Sequence, residues 1–360
     1  MSKRHRPGAS AASVLRHVEE VVVATSGEDT FEIVFAVAAA RLAVDAVEGE
    51  GMPLRHAIDR AVRMYPLLEV DPVRDASDAL LGRVDDLLAS ALADESTLDA
   101  VFESLVPRVS KSDKGQFFTP RHVVDFVVKM LGPTKREVVL DPACGSGAFL
   151  SRARRAGAQA FGCDVDLRAV RVARLLAVAA GADPTSVRRG DGLRTVELPN
   201  ADVVATNPPF AGRAPADGFE VADLVRTPER DVLFVERALG LLRPGGRLGI
   251  VLPYNKASGE AYAGLRRWLV HRARILAIVG LPRETFLPHT SQRTFVLFAQ
   301  KRQERLVAPP PEEKTMFVVS ERAGKDTGGE PVFTADGVLD HDLADVEAEL
   351  GPFLRAEGFA

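Results

Sequence analysis

The sequence is poor in several features that would each have pointed to a function. It has two cysteines, Cys144 and Cys163, too far apart for a Cys-x-x-Cys pair and joined by no His-rich spacing. That excludes a disulfide framework and a zinc site, leaves no metal ligand set to propose, and fits a reducing cytoplasm. Nowhere does an apolar run approach the roughly 18 residues of a membrane span. The amino-terminal "GASAASVLRHVEEVV" is broken by Arg16, His17 and two glutamates, so neither a signal peptide nor a transmembrane helix is expected. Positive charge is short as well: 46 Lys and Arg against 50 Asp and Glu leave a net charge of -4 over 360 residues. Bulk electrostatics will therefore not coat nucleic acid, and any such contact is local or shared with a partner. Neither the GxxxxGK[ST] spacing of a triphosphate loop nor the GxGxxG of a dinucleotide fold is found.

What remains is a chain that is 46% hydrophobic and 27% charged, long enough for a large domain and a smaller one. From residue 10 to about 106, apolar positions recur every three or four residues, as in "DALLGRVDDLLASALADESTLDAVFESLV", and Pro53, Pro66, Pro72 and Pro107 fall between the runs. The pattern predicts an all-helical amino-terminal domain, 1–109. From about 136, short apolar runs alternate with helical stretches: "EVVLDPACGSG", "AQAFGCDVD", "SVRRGDGL", "ADVVATNPPF", "RLGIVLP", "ILAIVGLP" and "RTFVLFAQK". These predict an α/β, doubly wound, mainly parallel sheet over 110–303. "RPGG" reads as the stop of the helix before "RLGIVLP". The Pro- and charge-rich "ERLVAPPPEEK" opens a last segment, 304–360, read as a linker with one strand, "TMFVVS", and one helix, "HDLADVEAEL".

In such a sheet ligands sit outside the carboxyl ends of the strands. The first strand runs into Asp141-Pro142-Ala-Cys-Gly145-Ser-Gly147. The two glycines let the backbone approach a ligand closely, while the acid repels a pyrophosphate and suits an ammonium. The second ends in Gly162-Cys-Asp164, where a carboxylate is able to accept both hydroxyls of a ribose, and Gly190-Asp191-Gly192 offers an acceptor for the exocyclic amine of an adenine. Three acids at three successive strand tips outline a nucleoside with a charged amino-acid tail, the shape of S-adenosylmethionine. The alternative is that each acid caps an ordinary strand-to-helix loop.

"VVATNPPF" ends an apolar strand in a rigid hook. Proline disfavours the α region for Asn207 and itself lacks an N–H, so the carbonyls of the hook are free to accept. The Asn207 side-chain oxygen and the Pro208 carbonyl are able to take both hydrogens of a planar NH2, with Phe210 stacking on the ring that bears it. A plain strand-stop turn is the alternative.

"GQFFTPRHVVDFVVKML", "DPACGSGAFL", "GCDVD", "GDGL" and "NPPF", in that order, resemble the N6-adenine DNA methyltransferases, above all the methylation subunit of type I restriction-modification systems. The likeness spans about residues 95 to 320 and includes "RPGGRLGIVLP" and "ILAIVGLPRETF". It implies a Rossmann-like S-adenosylmethionine-dependent domain behind a helical one, and site-specific methylation of adenine N6 in double-stranded DNA for restriction-modification or a related phage defence. Phe118, Thr119 and Pro120 would then border the methionine end of the cofactor. Asp141, Pro142, Gly145 and Gly147 would form its main loop, Asp164 hold the ribose and Asp191 the adenine. Asn207, Pro208, Pro209 and Phe210 match the catalytic motif, and the target base would be flipped to reach it. Ala148 departs from the family, which often has a third glycine there. Too few residues follow the matching region for a target-recognition domain, so a separate specificity subunit, with a restriction subunit beside it, is the expected partner. Methylation of protein glutamine or of RNA, and a non-catalytic scaffold, are the competing readings.

Overall fold

The structure is a computed structural model that describes residues 17–22, 29–45, 51–89, 102, 119–194, 197–210 and 212–359. Two compact units result: one holds the described residues of Met1–Lys111 together with Leu167–Val187, the other those of Ser112–Asp166 and Arg188–Ala360. The expected boundary at 109/110 lies outside the described residues.

The first unit is helical. Helix α1 (Thr30–Asp45) is apolar on nearly every side and correspondingly buried from Phe31 to Ala40 except at Glu32, as a central helix must be. Helix α2 (Leu54–Met64) buries one stripe, Ala57, Ile58 and Ala61, and α3 (Asp78–Ala89) buries Leu80, Leu81, Val84 and Leu88. Pro53 stands at the N-cap of α2 and Pro66 opens a 3-10 turn, both where an N–H would have no helical partner. Periodicity assigned the stretch 167–179 to the α/β body, yet this helix groups with the helical unit. Its Arg171, 5% exposed, makes a bidentate pair with Glu32 at 2.7 Å for each bond and donates from Nε to the Leu68 carbonyl at 3.1 Å. The same guanidinium lies 4.4 Å from the Phe35 ring centroid and 5.2 Å from that of Phe31. One arginine thus joins three segments far apart in sequence.

The second unit is an eight-stranded mixed sheet in the order β3-β2-β1-β4-β5-β7-β6-β8. The strands are β1 (Val138–Asp141), β2 (Gln159–Asp164), β3 (Val187–Arg189), β4 (Ala201–Thr206), β5 (Leu242–Pro253), β6 (Ala273–Gly280), β7 (Thr294–Lys301) and β8 (Met316–Val319). β1 pairs in parallel with β2 on one side and β4 on the other, and β4 with β5. β7 enters antiparallel between β5 and β6. The chain order therefore reverses between β1 and β4, the crevice where doubly wound sheets take ligands. The helices of this unit are α4 (Arg121–Leu131), α5 (Ala148–Arg155), α7 (Arg230–Leu241), α8 (Ala263–Arg272) and α9 (Leu343–Ala356); α6 is Leu167–Ala179 of the first. One core, including Leu140, Val204, Leu233, Leu248, Trp268 and Leu297, joins α7 and α8 to the strands.

Two local expectations change. "RPGG" does not end a helix with a loop: α7 stops at Leu241 and β5 begins at Leu242, running through Pro244 and Gly245 while its register against β4 shifts. The tail is not an appendage either. β8 pairs in parallel with β6, α9 packs on α4, and the Asp342 carboxylate accepts from Ser320 Oγ and the Glu321 amide. His122 and His341 stack with centroids 4.8 Å apart. Among the described residues no helix is long and apolar enough to cross a membrane.

Replacing Arg171 by Met strands a largely buried carboxylate at Glu32. We expect Arg171→Met to cost roughly 2–4 kcal/mol in chemical denaturation, with Glu32→Gln added to it recovering a substantial part.

Candidate active site

β1 and β4 end side by side at the reversal of strand order, and a hydrogen bond ties their tips. Thr206 Oγ1 donates to Asp141 Oδ1 at 2.6 Å, with Thr206 0% and Asp141 1% exposed. The same Oδ1 accepts from the Ala143 amide at 3.0 Å and so starts the turn into the Gly145–Gly147 loop. Burial pushes the Asp141 carboxyl up to about 7 against the pull of these two bonds, and nearby Asp164 pushes the same way. Asp164, at the end of β2, is 7% exposed and raised for the same reason of burial. Two acids in one dry crevice make it receptive to a cation.

The loops after the strands lock together through the backbone. Gly145 N donates to Asp164 Oδ2 at 2.9 Å, Cys144 N to Cys163 O at 2.9 Å, and Gly190 N to Asp164 O at 2.8 Å. A Cβ on Gly192 would lie 1.8 Å from the Pro142 carbonyl oxygen, so only glycine lets the third loop touch the first. Gly145 is the converse case: at φ +52° it is left-handed and a Cβ there would meet nothing within 4 Å. The backbone thus borders open space beside the two acids. Cys144 and Cys163 come together here as buried free thiols, with burial pushing that of Cys163 up to about 12.

The capping alternative has support in the same geometry. Asp164 Oδ1 accepts from the Asp166 amide at 2.9 Å, and Asp191 Oδ1 from the Leu193 amide at 3.0 Å. These bonds fix each acid in place.

The hook of Asn207–Phe210 follows β4. Asn207 Nδ2 donates to Thr119 Oγ1 at 2.9 Å, and its Oδ1 is buried with no hydrogen-bond partner. A buried amide oxygen without a donor costs about 1–3 kcal/mol, and at the tip of β4 this one is placed to accept an N–H from a ligand in the crevice. Thr119 opens the segment before α4, with Pro120 as its N-cap. Phe210 is 3% exposed and packs edge-to-face on buried Phe286, centroids 5.6 Å apart at 84°.

The structure therefore gathers Thr119, Pro120, Asp141, Pro142, Gly145, Gly147, Asp164, Asp191 and the hook at the carboxyl ends of β1, β2, β3 and β4. Phe118 lies outside the described residues. Sequence reasoning missed Thr206, Phe286 and the link from Thr119 to Asn207. A threonine closing the strand Ala201–Thr206 was the available signal for the first; Phe286 closes "ILAIVGLPRETF", and nothing in the sequence pointed to its packing on Phe210 or to the Thr119 link.

The raised Asp141 gives a sign to the pH response. A carboxyl whose folded-state pKa lies above its unfolded value favours the fold fully below the ordinary carboxylate range and loses that contribution as pH climbs through about 7. Urea titrations of the ligand-free protein should show Asp141→Asn losing less stability than the parent between pH 4 and 8; an identical slope in both would contradict the assignment.

Residues 94–332, more than half of the chain, match the N-6 DNA Methylase family. The chain is 32% identical over 233 residues to the type I restriction enzyme StySPI methylase subunit of Salmonella potsdam, which covers 57% of this chain and 43% of that one. To the type I restriction enzyme EcoEI methylase subunit of Escherichia coli it is 26% identical over 250 residues, 62% and 50% of the two chains. It thus spans about half the length of these curated relatives. Among solved structures, the type I restriction-modification system methyltransferase subunit from Streptococcus thermophilus shares its fold, with a TM-score of 0.66 at 17% identity over 95% of this chain and 91% of that one. With acids on three strand tips, a proline-bound asparagine beside them and this match, the chain belongs to the N-6 DNA Methylase family.

Proposed function

We propose that this chain is a site-specific, S-adenosylmethionine-dependent methyltransferase acting on N6 of adenine in double-stranded DNA. It would serve in the cytoplasm as the modification subunit of a restriction-modification or related phage-defence system. The observation that carries this reading is the buried, unpartnered Oδ1 of Asn207 at the tip of β4, beside the buried acid of β1.

The residues at the crevice fit the cofactor. Two carboxylates raised by burial, with Asp164 adding to the rise at Asp141, gain from a ligand bearing a positive charge, and Gly145 borders room for one. The bonds to Asp141 fall on Oδ1, leaving Oδ2 for the ammonium of the methionine portion. Asp164 would hold the ribose hydroxyls and Asp191 the adenine amine. Pro142 and Gly147 would shape the loop, while Thr119 and Pro120 would border the methionine end. S-adenosylmethionine, when bound, supplies an electrophilic methyl group on a sulfonium.

The rest is done by the hook. The adenine amine is planar because its lone pair is delocalised into the ring. Asn207 Oδ1 and the Pro208 carbonyl accept its two hydrogens in positions suited to a pyramidal nitrogen, which frees the lone pair for attack. The amine becomes acidic only once methylated, so no strong general base is required. Pro208 and Pro209 keep the acceptors extended, and Phe210 is the ring that would stack on the base that has left the duplex. Thr119 fixes the Asn207 amide with its oxygen free, which is the orientation the reaction needs. A net charge of -4 favours a division of labour in which a specificity subunit supplies sequence recognition and most DNA contact, with a restriction subunit in the same assembly.

The test is nucleoside mass spectrometry on DNA from a methylation-deficient host expressing the chain with and without its genomic neighbours. N6-methyladenine should appear only with a neighbour, and Asn207→Ala should lower it at least about a hundredfold while cofactor affinity stays within a few-fold. Cofactor binding without methylated adenine in any combination would refute DNA as the substrate and favour protein or RNA.

A further inference from the structure

A buried ionic cluster lies next to the hook and takes no part in the chemistry above. Lys256, three residues beyond the end of β5, is 3% exposed. Its Nζ lies 2.6 Å from Glu229 Oε2 and 2.9 Å from Asp231 Oδ2, and 4.6 Å from the ring centroid of Tyr262. Tyr262 also donates its hydroxyl to Glu229 Oε2 at 2.7 Å, and Asp231 is 0% exposed. Two carboxylates and one ammonium are a costly group to bury, and hydrophobic side chains would fill the same space at least as stably.

The position of the two acids suggests why the cluster is kept. Glu229 and Asp231 flank Arg230, the first residue of α7, where the chain returns from the excursion that begins at the hook. The two ends of that excursion are sewn together: Arg230 N donates to Gly212 O at 3.1 Å, and Arg213 pairs with Glu229 as an isolated antiparallel bridge. Gly212 is two residues past Phe210. Midway along, Arg194, from the loop that carries Asp191, donates to the Pro215 and Asp217 carbonyls. Lys256, on the short helix Asn255–Ser258 that follows β5, therefore grips the residues that hold the exit of the hook on β4, the strand paired in parallel with β5.

We propose that Lys256, through Glu229 and Asp231, is a positioning residue that holds the chain leaving Phe210, so that the acceptors of Asn207 and Pro208 keep their places without Lys256 touching substrate or cofactor. Its consequence for methyl transfer rests on the function proposed above; its structural content does not.

The experiment has two readouts. Hydrogen exchange by mass spectrometry would follow the peptide 207–215 against peptides of β5 and β7 in the parent, in Lys256→Met, and in the neutral triple variant Lys256→Met/Glu229→Gln/Asp231→Asn. Methyl transfer with the partner present, and S-adenosylmethionine affinity by calorimetry, would be measured on the same proteins. Exchange over 207–215 should speed about tenfold or more in both variants with β5 and β7 unchanged; kcat should fall about tenfold to a hundredfold with cofactor affinity within twofold. Should Lys256→Met fail to fold, the triple variant, which buries no unpaired charge, carries the same expectation. Parental exchange and kcat in the triple variant would overturn the proposal, because the cluster would then only balance its own charges. A parent that methylates nothing would count against the proposed function alone, since the exchange readout decides the anchoring by itself.

Discussion

A single short hydrogen bond, from the Thr206 hydroxyl to the Asp141 carboxylate, sits where the sheet changes direction, and the crevice is organised around it. The bond is buried at both ends, so water does not compete for it, and it fixes the spacing of two strand tips that carry different tasks. On the β1 side the same oxygen turns the chain into a glycine loop; on the β4 side the next residue is Asn207. From there a lattice of backbone bonds extends outward: Gly145 to Asp164, Cys144 to Cys163, Gly190 to Asp164. Each loop is located by the next, and none is free to relax alone.

This order is held at a cost in stability. Asp141 and Asp164 are both buried against their preference for water, and the Asn207 oxygen is left without a donor. Such groups destabilise the fold by themselves and would become favourable on meeting complementary charge and hydrogens. The helical unit shows the opposite habit. Arg171 is equally buried but satisfied on every side by a carboxylate, a carbonyl and two rings, so its cluster fixes structure rather than awaiting a partner.

The class of fold was legible because its strands are short apolar runs with turn residues at their ends, and the acids could be ranked because each follows such a run. What escaped was set by contacts between distant segments. "RPGG" carries a helix-stop signal at any position, yet strand pairing with β4 absorbed it into β5. Helix 167–179 has the periodicity of any amphipathic helix, and only the bonds of Arg171 and its neighbours decide which unit it joins. Nothing in the residues around Lys256 marks it as one of the most buried charges among the described residues. "TMFVVS" was recognised as a strand, but its partner could not be read from its own residues.

That last strand bears on how the protein is made. β8 completes the sheet by pairing with β6, although β7 and a proline-rich stretch separate them in the chain. During synthesis β6 and β7 emerge first, and until Met316–Val319 follow, the backbone of β6 presents an open edge to solvent. The crevice residues all precede this point, so the strand tips that form the crevice are translated in full before their sheet is closed. Nascent chains stalled between residues 301 and 316 would be the ones most exposed to chaperones or to pairing with one another.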